Sequence, residues 1–297
     1  MRPGRPSDLP ALTALWADEV RRGSRDCAPT ENLITRWLAD FDWPSRSRMA
    51  DGEPGRLEGA VLVTDRQTAG GIVARVELAT AGAASPELQA RLATWGLGLS
   101  RTAGAASAHV WTAHGQGSWL GDLEMTPVRP WWRMDRSLVG GVPVPAPVEG
   151  YALREGPSVS AAVWADVFNR SFEDHWRFSP RTAEELAAGQ AEQVGLLAVA
   201  PDGSSAAMTR GLLETYRADP RPQPVGLVAT VGTIPAHRRR GLANWLVAEA
   251  LVQLEKAGAT HASLYVDGLN QTRAADAYRK LGFEVAFESE VWEATFP

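Results

Sequence analysis

The stretch Val231-Gly232-Thr233-Ile234-Pro235-Ala236-His237-Arg238-Arg239-Arg240-Gly241-Leu242-Ala243 decides the reading of this chain. Upstream, Val225 to Ile234 is an apolar run rich in β-branched residues, which predicts a buried strand. Downstream, Leu242, Leu246, Ala250 and Leu254 recur at helical spacing, with Lys256 and Gly258 as stop signals. A basic, glycine-containing turn therefore joins a strand to a helix. The first amides of that helix lack partners within it, and the helix dipole adds partial positive charge at the same place. Three consecutive arginines raise the potential further. Such a turn suits an anion, and a phosphate or diphosphate suits it best.

Other phosphate loops do not match. The chain has no G-x-x-x-x-G-K-[ST] run. Its nearest approach to G-x-G-x-x-G, Gly115 to Gly121, has the last glycine one place late and reads as a loop. The R-x-x-G-x-A pattern of Arg238 to Ala243 resembles the acetyl-CoA-binding motif of the GNAT N-acyltransferase superfamily. A second motif follows it. The strand pattern His261 to Val266, then Asn270, then Ala274 to Phe283 with Tyr278-Arg279-Lys280-Leu281-Gly282-Phe283, is similar to that family's closing signature.

Composition bounds the function. At 297 residues, 44% hydrophobic and 22% charged, the chain is long enough for about two domains with a sizeable core. A net charge of −5 disfavours nonspecific nucleic-acid binding. One local basic turn on a mildly acidic protein fits a small anionic cofactor and a cationic substrate. Cys27 is the only cysteine, so neither an internal disulfide nor a cysteine metal cluster is expected. His109 and His114 read as structural, because their spacing is wrong for one helical face and no carboxylate accompanies them. No signal core follows Arg2 and Arg5, and no apolar window is long enough to span a membrane, so a cytoplasmic location is expected. The 12 tryptophans, Trp131 and Trp132 among them, read mainly as packing residues.

The two halves echo each other. Arg2 to Asp8 precedes a helix carrying Leu9, Leu12, Leu15, Trp16 and Val20. Leu153 to Ser158 precedes a helix carrying Val159, Val163, Trp164, Val167 and Phe168. The Pro, Gly and Val-rich segment between the halves reads as an extended linker. The expected organisation is 1–136, a degenerate GNAT-like domain; 137–150, a Pro/Gly linker; and 151–297, an acyl-CoA-binding GNAT domain. The fold class is α/β with a mixed sheet, as a tandem duplication. In the first copy the equivalent turn, Thr80 to Glu87, has no arginine and carries Glu87 near the helix start, and Trp119 and Leu120 stand near the position matching Tyr278. One degenerate and one intact copy resemble the mycothiol synthase branch of GNAT proteins.

The resemblance implies an acetyl-CoA or other acyl-CoA cosubstrate, no metal, and direct transfer to the amine of a small molecule. It implies that the strands Val225–Ile234 and Ala262–Val266 splay apart to admit the pantetheine arm. Cofactor contacts then fall on Val231, Gly232, Thr233, Arg238, Arg239, Arg240, Gly241, Leu242, Ala243, Asn270 and Arg273. Tyr278 matches the family's general acid. The glutamate that several members place on the strand before the turn is absent here. Glu214, His175, Asp267 and a water chain are the alternatives for the base. Glu173, Asp174 and Trp176 in the segment Phe172–Phe178, with Asp267, are the expected acceptor-side residues, suited to a cationic or sugar-like amine. A monomer or homodimer without nucleic-acid or membrane partners is expected. The competing readings are an acyl-CoA-binding sensor or scaffold with weak catalysis, and a protein or peptide N-acetyltransferase.

Overall fold

The computed structural model describes residues 1–188, 194–270 and 273–297. The chain is mixed α/β and divides into two compact units. Unit 1 comprises Met1–Trp131, Tyr216–Pro220 and Phe287–Pro297; unit 2 comprises Trp132–Thr215 and Arg221–Ala286. These units differ from the linear division at 1–136, 137–150 and 151–297, and the cause is long-range pairing. Ser289–Thr295, in the chain's last strand, pairs antiparallel with Ser107–Ala113 of unit 1. Residues 132–137, at the end of the strand Thr126–Ser137, lie beside His261–Asp267 in unit 2. Each unit is therefore closed by a strand from the other half of the sequence.

In unit 1 the strands run Arg2–Pro3, Ser47–Asp51, Leu57–Thr68, Gly71–Thr80, Ser107–Ala113, then the C-terminal strand. Strand alternation sends Val61, Val63 and Val76 to one face, against Leu88, Leu92 and Leu97 of the helix Pro86–Thr102. Ala60, Leu62 and Ala79 go to the other face, against Leu12, Leu15 and Trp16 of the helix Leu9–Arg21.

Unit 2 repeats the plan. Its strands run Ala152–Glu155, Val194–Val199, Ser205–Glu214, Val225–Thr233, His261–Asp267, then residues 132–137. The helix Leu242–Lys256 buries Leu242, Trp245, Leu246, Val247, Ala250, Leu251 and Leu254 on one face. Ala161–Phe172, called here the roof helix, packs Trp164 and Val167 on Leu197, Val199 and Met208 of the other face. The roof helix starts later than its apolar stripe predicts. Ser160 is the N-cap, accepting from the Val163 amide at 3.4 Å, so Val159 lies outside the helix.

The Pro/Gly segment has no regular structure over 142–147, as its prolines require, and is mostly exposed, but it is anchored at its ends. Leu138 is 1% exposed within the unit 2 core and its amide donates to Thr260 O at 2.8 Å. Val142, Val148 and Tyr151 pack on the same core.

Candidate functional site

The site of unit 2 is built at the ends of two parallel strands. Val225–Thr233 pairs with His261–Asp267 only from Val225↔His261 to Val228↔Leu264. Past that point the two strands part. On its other edge Val225–Thr233 stays paired with Ser205–Glu214, but the register skips one residue, Val228↔Gly211 being followed by Thr230↔Arg210. Ala229 is thus a β-bulge, which bends the strand just where the ladder to its parallel neighbour stops. The parallel ladder thus leaves an unpaired edge, called here the gap, along the backbone of 229–233.

The basic turn closes the end of this gap. Pro235–His237 is a single 3₁₀ turn, Arg238 is extended, Arg239 is left-handed at φ 62, and Gly241 is left-handed at φ 88. Gly241 is glycine because of that φ; the nearest atom to an added Cβ is Val148 Cγ2, at an ordinary 3.8 Å. The first backbone bond of the following helix runs from the Trp245 amide to Gly241 O at 3.0 Å. The amides of Leu242, Ala243 and Asn244 therefore precede it and point out of the helix start, with no side-chain cap. Arg239 and Arg240 are exposed and have no partner among the described residues. His237 Nδ1 and Tyr151 Oη lie 2.9 Å apart and buttress the turn from outside.

Arg238 behaves differently from the other two arginines. Its guanidinium donates to Thr233 O, Ser171 O and both carboxylate oxygens of Asp174, the last at 2.5 and 2.9 Å. Asp174 is correspondingly held below the usual carboxylate range by Arg238. So two residues expected to meet ligand, Arg238 and Asp174, are spent on each other through their side chains.

Gly232 also has a packing reason. An added Cβ would lie 2.9 Å from Ser171 Cβ and 3.1 Å from Phe172 Cε2, so the end of the roof helix needs a bare backbone there. His175 stands edge-on to Phe172 with ring centroids 4.7 Å apart. Trp176 is half-buried beside Arg177, and Glu173 is exposed at the helix C-cap. Val231 and Thr233 lie on the gap strand, opposite Thr209 and Ala207.

Glu214 is not brought to the gap. It pairs with Val225, whereas Val231 pairs with Thr209. At about 3.4 Å per residue the two positions are roughly 17 Å apart along the strand, well beyond the reach of a glutamate. Asp267 ends the second gap strand, but its carboxylate accepts the Leu269 amide at 2.9 Å and shapes the turn to Asn270. Arg273 is left-handed, with its side chain 82% exposed and paired with Asp276. Tyr278 lies on Ala274–Lys280, 8% exposed, edge-on to Phe283. Burial pushes its phenol above the usual range.

Unit 1 has the same parting of strands but fills it. Gly71–Thr80 and Ser107–Ala113 pair only from Val73↔Ser107 to Val76↔Val110. Against Leu57–Thr68 the register is unbroken, so there is no bulge. The exposed edge past Val76 is taken by side chains from the end of the first helix and the loop after it. The Thr80 amide donates to Glu19 Oε1 at 2.9 Å, Arg25 donates to Leu78 O at 3.2 Å, and Arg22 donates to Thr80 O. Arg25 also bridges Glu19 and Glu77 at 2.9 and 2.7 Å. The turn that follows has Ser85 capping Leu88 and no basic residue. The two histidines do have carboxylates, though from far away in sequence: His109 pairs with Glu293 and His114 with Glu290, each at 2.8 Å. They join neighbouring strands, in keeping with structural roles. Cys27 is half-buried and forms no disulfide.

Among the described residues no helix is long and apolar enough to cross a membrane, and no group of His, Cys, Asp and Glu has metal-site geometry.

Residues 162–283 match the family model described as "Acetyltransferase (GNAT) family". The chain is 35% identical over 173 residues to a mycothiol acetyltransferase of Kytococcus sedentarius, covering 54% of this chain and 56% of that one. It is 34% identical over 196 residues to a mycothiol acetyltransferase of Nocardia farcinica, covering 62% and 63%. The chain thus spans less than two thirds of the length of these relatives. Among solved structures it is similar to a GCN5-related N-acetyltransferase from Sphaerobacter thermophilus, with TM-score 0.80, 22% identity and 99% and 94% coverage. It is also similar to a tandem GNAT protein from the clavulanic acid biosynthesis pathway, with TM-score 0.71, 18% identity and 100% and 98% coverage. The chain has the GNAT fold of these proteins, and its stretch 162–283 matches the GNAT acetyltransferase family model.

Proposed function

We propose that this protein is an acyl-CoA-dependent N-acyltransferase, with acetyl-CoA as the first choice of cosubstrate and a small-molecule amine as acceptor. The observation that carries this reading is the conjunction in unit 2 of a bulged, parted strand pair with a turn of unpartnered amides and two free arginines. The gap suits the pantetheine arm, which hydrogen-bonds like an added strand. The turn suits the diphosphate, held by amides of Leu242 and Ala243 and by Arg239 and Arg240.

Bound there, an acyl-CoA supplies an activated thioester carbonyl. The chain's residues do the rest. A backbone N–H near Val231 or Gly232 stabilises oxyanion charge as the amine nitrogen attacks. His175, which packs edge-on against Phe172, is taken as the base, because imidazole is well suited to accept an ammonium proton near neutral pH. The carbon–sulfur bond then breaks, and Tyr278, whose phenol is protonated at neutral pH, gives its proton to the leaving thiolate. Glu173, Trp176 and Asp267 remain on the acceptor side. Unit 1, with its strand edge filled and no basic turn, is a degenerate copy that takes no acyl-CoA. The relatives named mycothiol acetyltransferase make a mycothiol-related amine the first acceptor to try. The protein is read as cytoplasmic.

Release of free thiol from acetyl-CoA with a panel of small amines tests the proposal. Tyr278→Phe should keep CoA affinity and lower turnover by about 10²-fold or more. A second reading, a CoA-binding sensor, is favoured by one observation: Val225–Thr233 has no acidic residue and Glu214 is remote. It wins if CoA binds tightly while Tyr278→Phe and wild type are equally inert with every amine.

A further inference from the structure

One guanidinium holds three elements of unit 2 together. Thr233, which accepts from Arg238 Nε at 3.1 Å, ends the gap strand. Ser171, which accepts from Nη2 at 3.0 Å, lies in the last turn of the roof helix, where a cation meets the partial negative charge of the carbonyls. Asp174, gripped by two bonds, lies in the segment after that helix, between Phe172 and His175. Arginine's planar fork of five donors is what allows one side chain to serve all these acceptors. Arg238 is only 22% exposed, in contrast to the open Arg239 and Arg240 beside it.

We propose that Arg238 and Asp174 are a positioning pair: a clasp that couples the anion-binding turn to the acceptor-side segment, with neither side chain touching ligand. The clasp holds Ser171 and Phe172 against Gly232 and fixes the turn with Arg239 and Gly241 left-handed, so that the amides of 242–244 face outward together. Loosening either side loosens the other, which makes the diphosphate site and the order of the acceptor segment thermodynamically linked. As to its ligand, this rests on the CoA reading above.

The test is calorimetric titration of CoA into wild type, Arg238→Gln, Asp174→Asn, their double variant, Arg238→Lys and Arg240→Gln, at two ionic strengths. Each clasp variant, Arg238→Lys included because it keeps charge without the fork, should weaken CoA by about tenfold. The double variant should be no weaker than the singles, as for one shared interaction. Salt dependence should stay that of wild type in the clasp variants and fall in Arg240→Gln, where a ligand-facing charge is lost. Affinity kept or raised in Asp174→Asn while Arg238→Gln loses both affinity and salt dependence would make Arg238 a direct ligand and overturn the clasp. Wild-type affinity in both singles would overturn it too.

Hydrogen exchange of the ligand-free protein gives an independent reading. The amides of His175 and Phe178, bonded to Phe172 O and His175 O, should exchange faster in Arg238→Gln and Asp174→Asn but not in Arg240→Gln. Unchanged exchange refutes the clasp. A wild type that takes no CoA, with exchange as expected, refutes the proposed function and leaves the clasp standing.

Discussion

Replacing Gly232 by alanine is the sharpest structural perturbation of the site. The added methyl would sit 2.9 Å from Ser171 Cβ, 3.1 Å from Ser171 Oγ and 3.1 Å from Phe172 Cε2. Ordinary carbon contacts begin at about 3.5 Å, so the end of the roof helix must recede by roughly 0.6 Å. Ser171 Cβ is fixed to the helix backbone and cannot swing aside, whereas the Phe172 ring can turn. Overpacking of this kind costs about 1–3 kcal/mol. Ser171→Gly removes two of the three clashes. In the Ser171→Gly background, Gly232→Ala should therefore cost no more than about 0.5 kcal/mol, the tolerance within which uncoupled changes add. Urea unfolding of the four proteins measures the cycle, and CoA titration of the same samples separates packing from binding. If Gly232→Ala is as stable as wild type but loses CoA, the glycine serves the ligand and not the helix. If the loss persists undiminished in the Ser171→Gly background, the contact argument is wrong.

Two further predictions follow from positions of acidic residues. Glu214→Gln should leave kcat/KM and its pH profile unchanged, since Glu214 pairs at the far end of the strand from the gap; a fall of about a hundredfold or more, the scale of a lost general base, would contradict this. In unit 1, burial would raise Glu77, but Arg75 and Arg25 outweigh it and hold the carboxyl at about 2, against an ordinary 4.5. A depressed folded value means stability is present above pH 4.5 and lost as pH falls towards 2. Between pH 5 and pH 3 wild type should therefore lose about 2 kcal/mol that Glu77→Gln does not lose. Glu19, raised by its burial, acts in the opposite sense in both proteins. Parallel pH curves for the two would refute the assignment.

The parts of the site that were legible in the sequence are those made by consecutive residues. A strand, three arginines, Gly241 and a helix stripe are local, and the structure places them as one strand–turn–helix unit. What was not legible depends on partners distant in sequence. The bulge at Ala229 exists only relative to Arg210 and Gly211. Glu214 is a base candidate by sequence because the strand pattern does not reveal which end of it lies beside the gap; register does. Asp174 and Arg238 are 64 residues apart, and each alone reads as a ligand-facing charge. The same holds for the filled edge of unit 1. Glu87 and the missing arginines marked its turn as unsuited to phosphate, but Glu19 reaching Thr80 across 61 positions left no local trace. The exchange of closing strands is equally silent, because strand propensity does not say which sheet a strand joins.

Calorimetric titration of CoA into the intact chain tests the central claim most directly. One molecule should bind per chain, and binding should be lost in the Arg239→Glu, Arg240→Glu double variant while Arg22→Ala in unit 1 leaves it unchanged. No binding, two molecules per chain, or a single site that survives reversal of both charges would contradict the account.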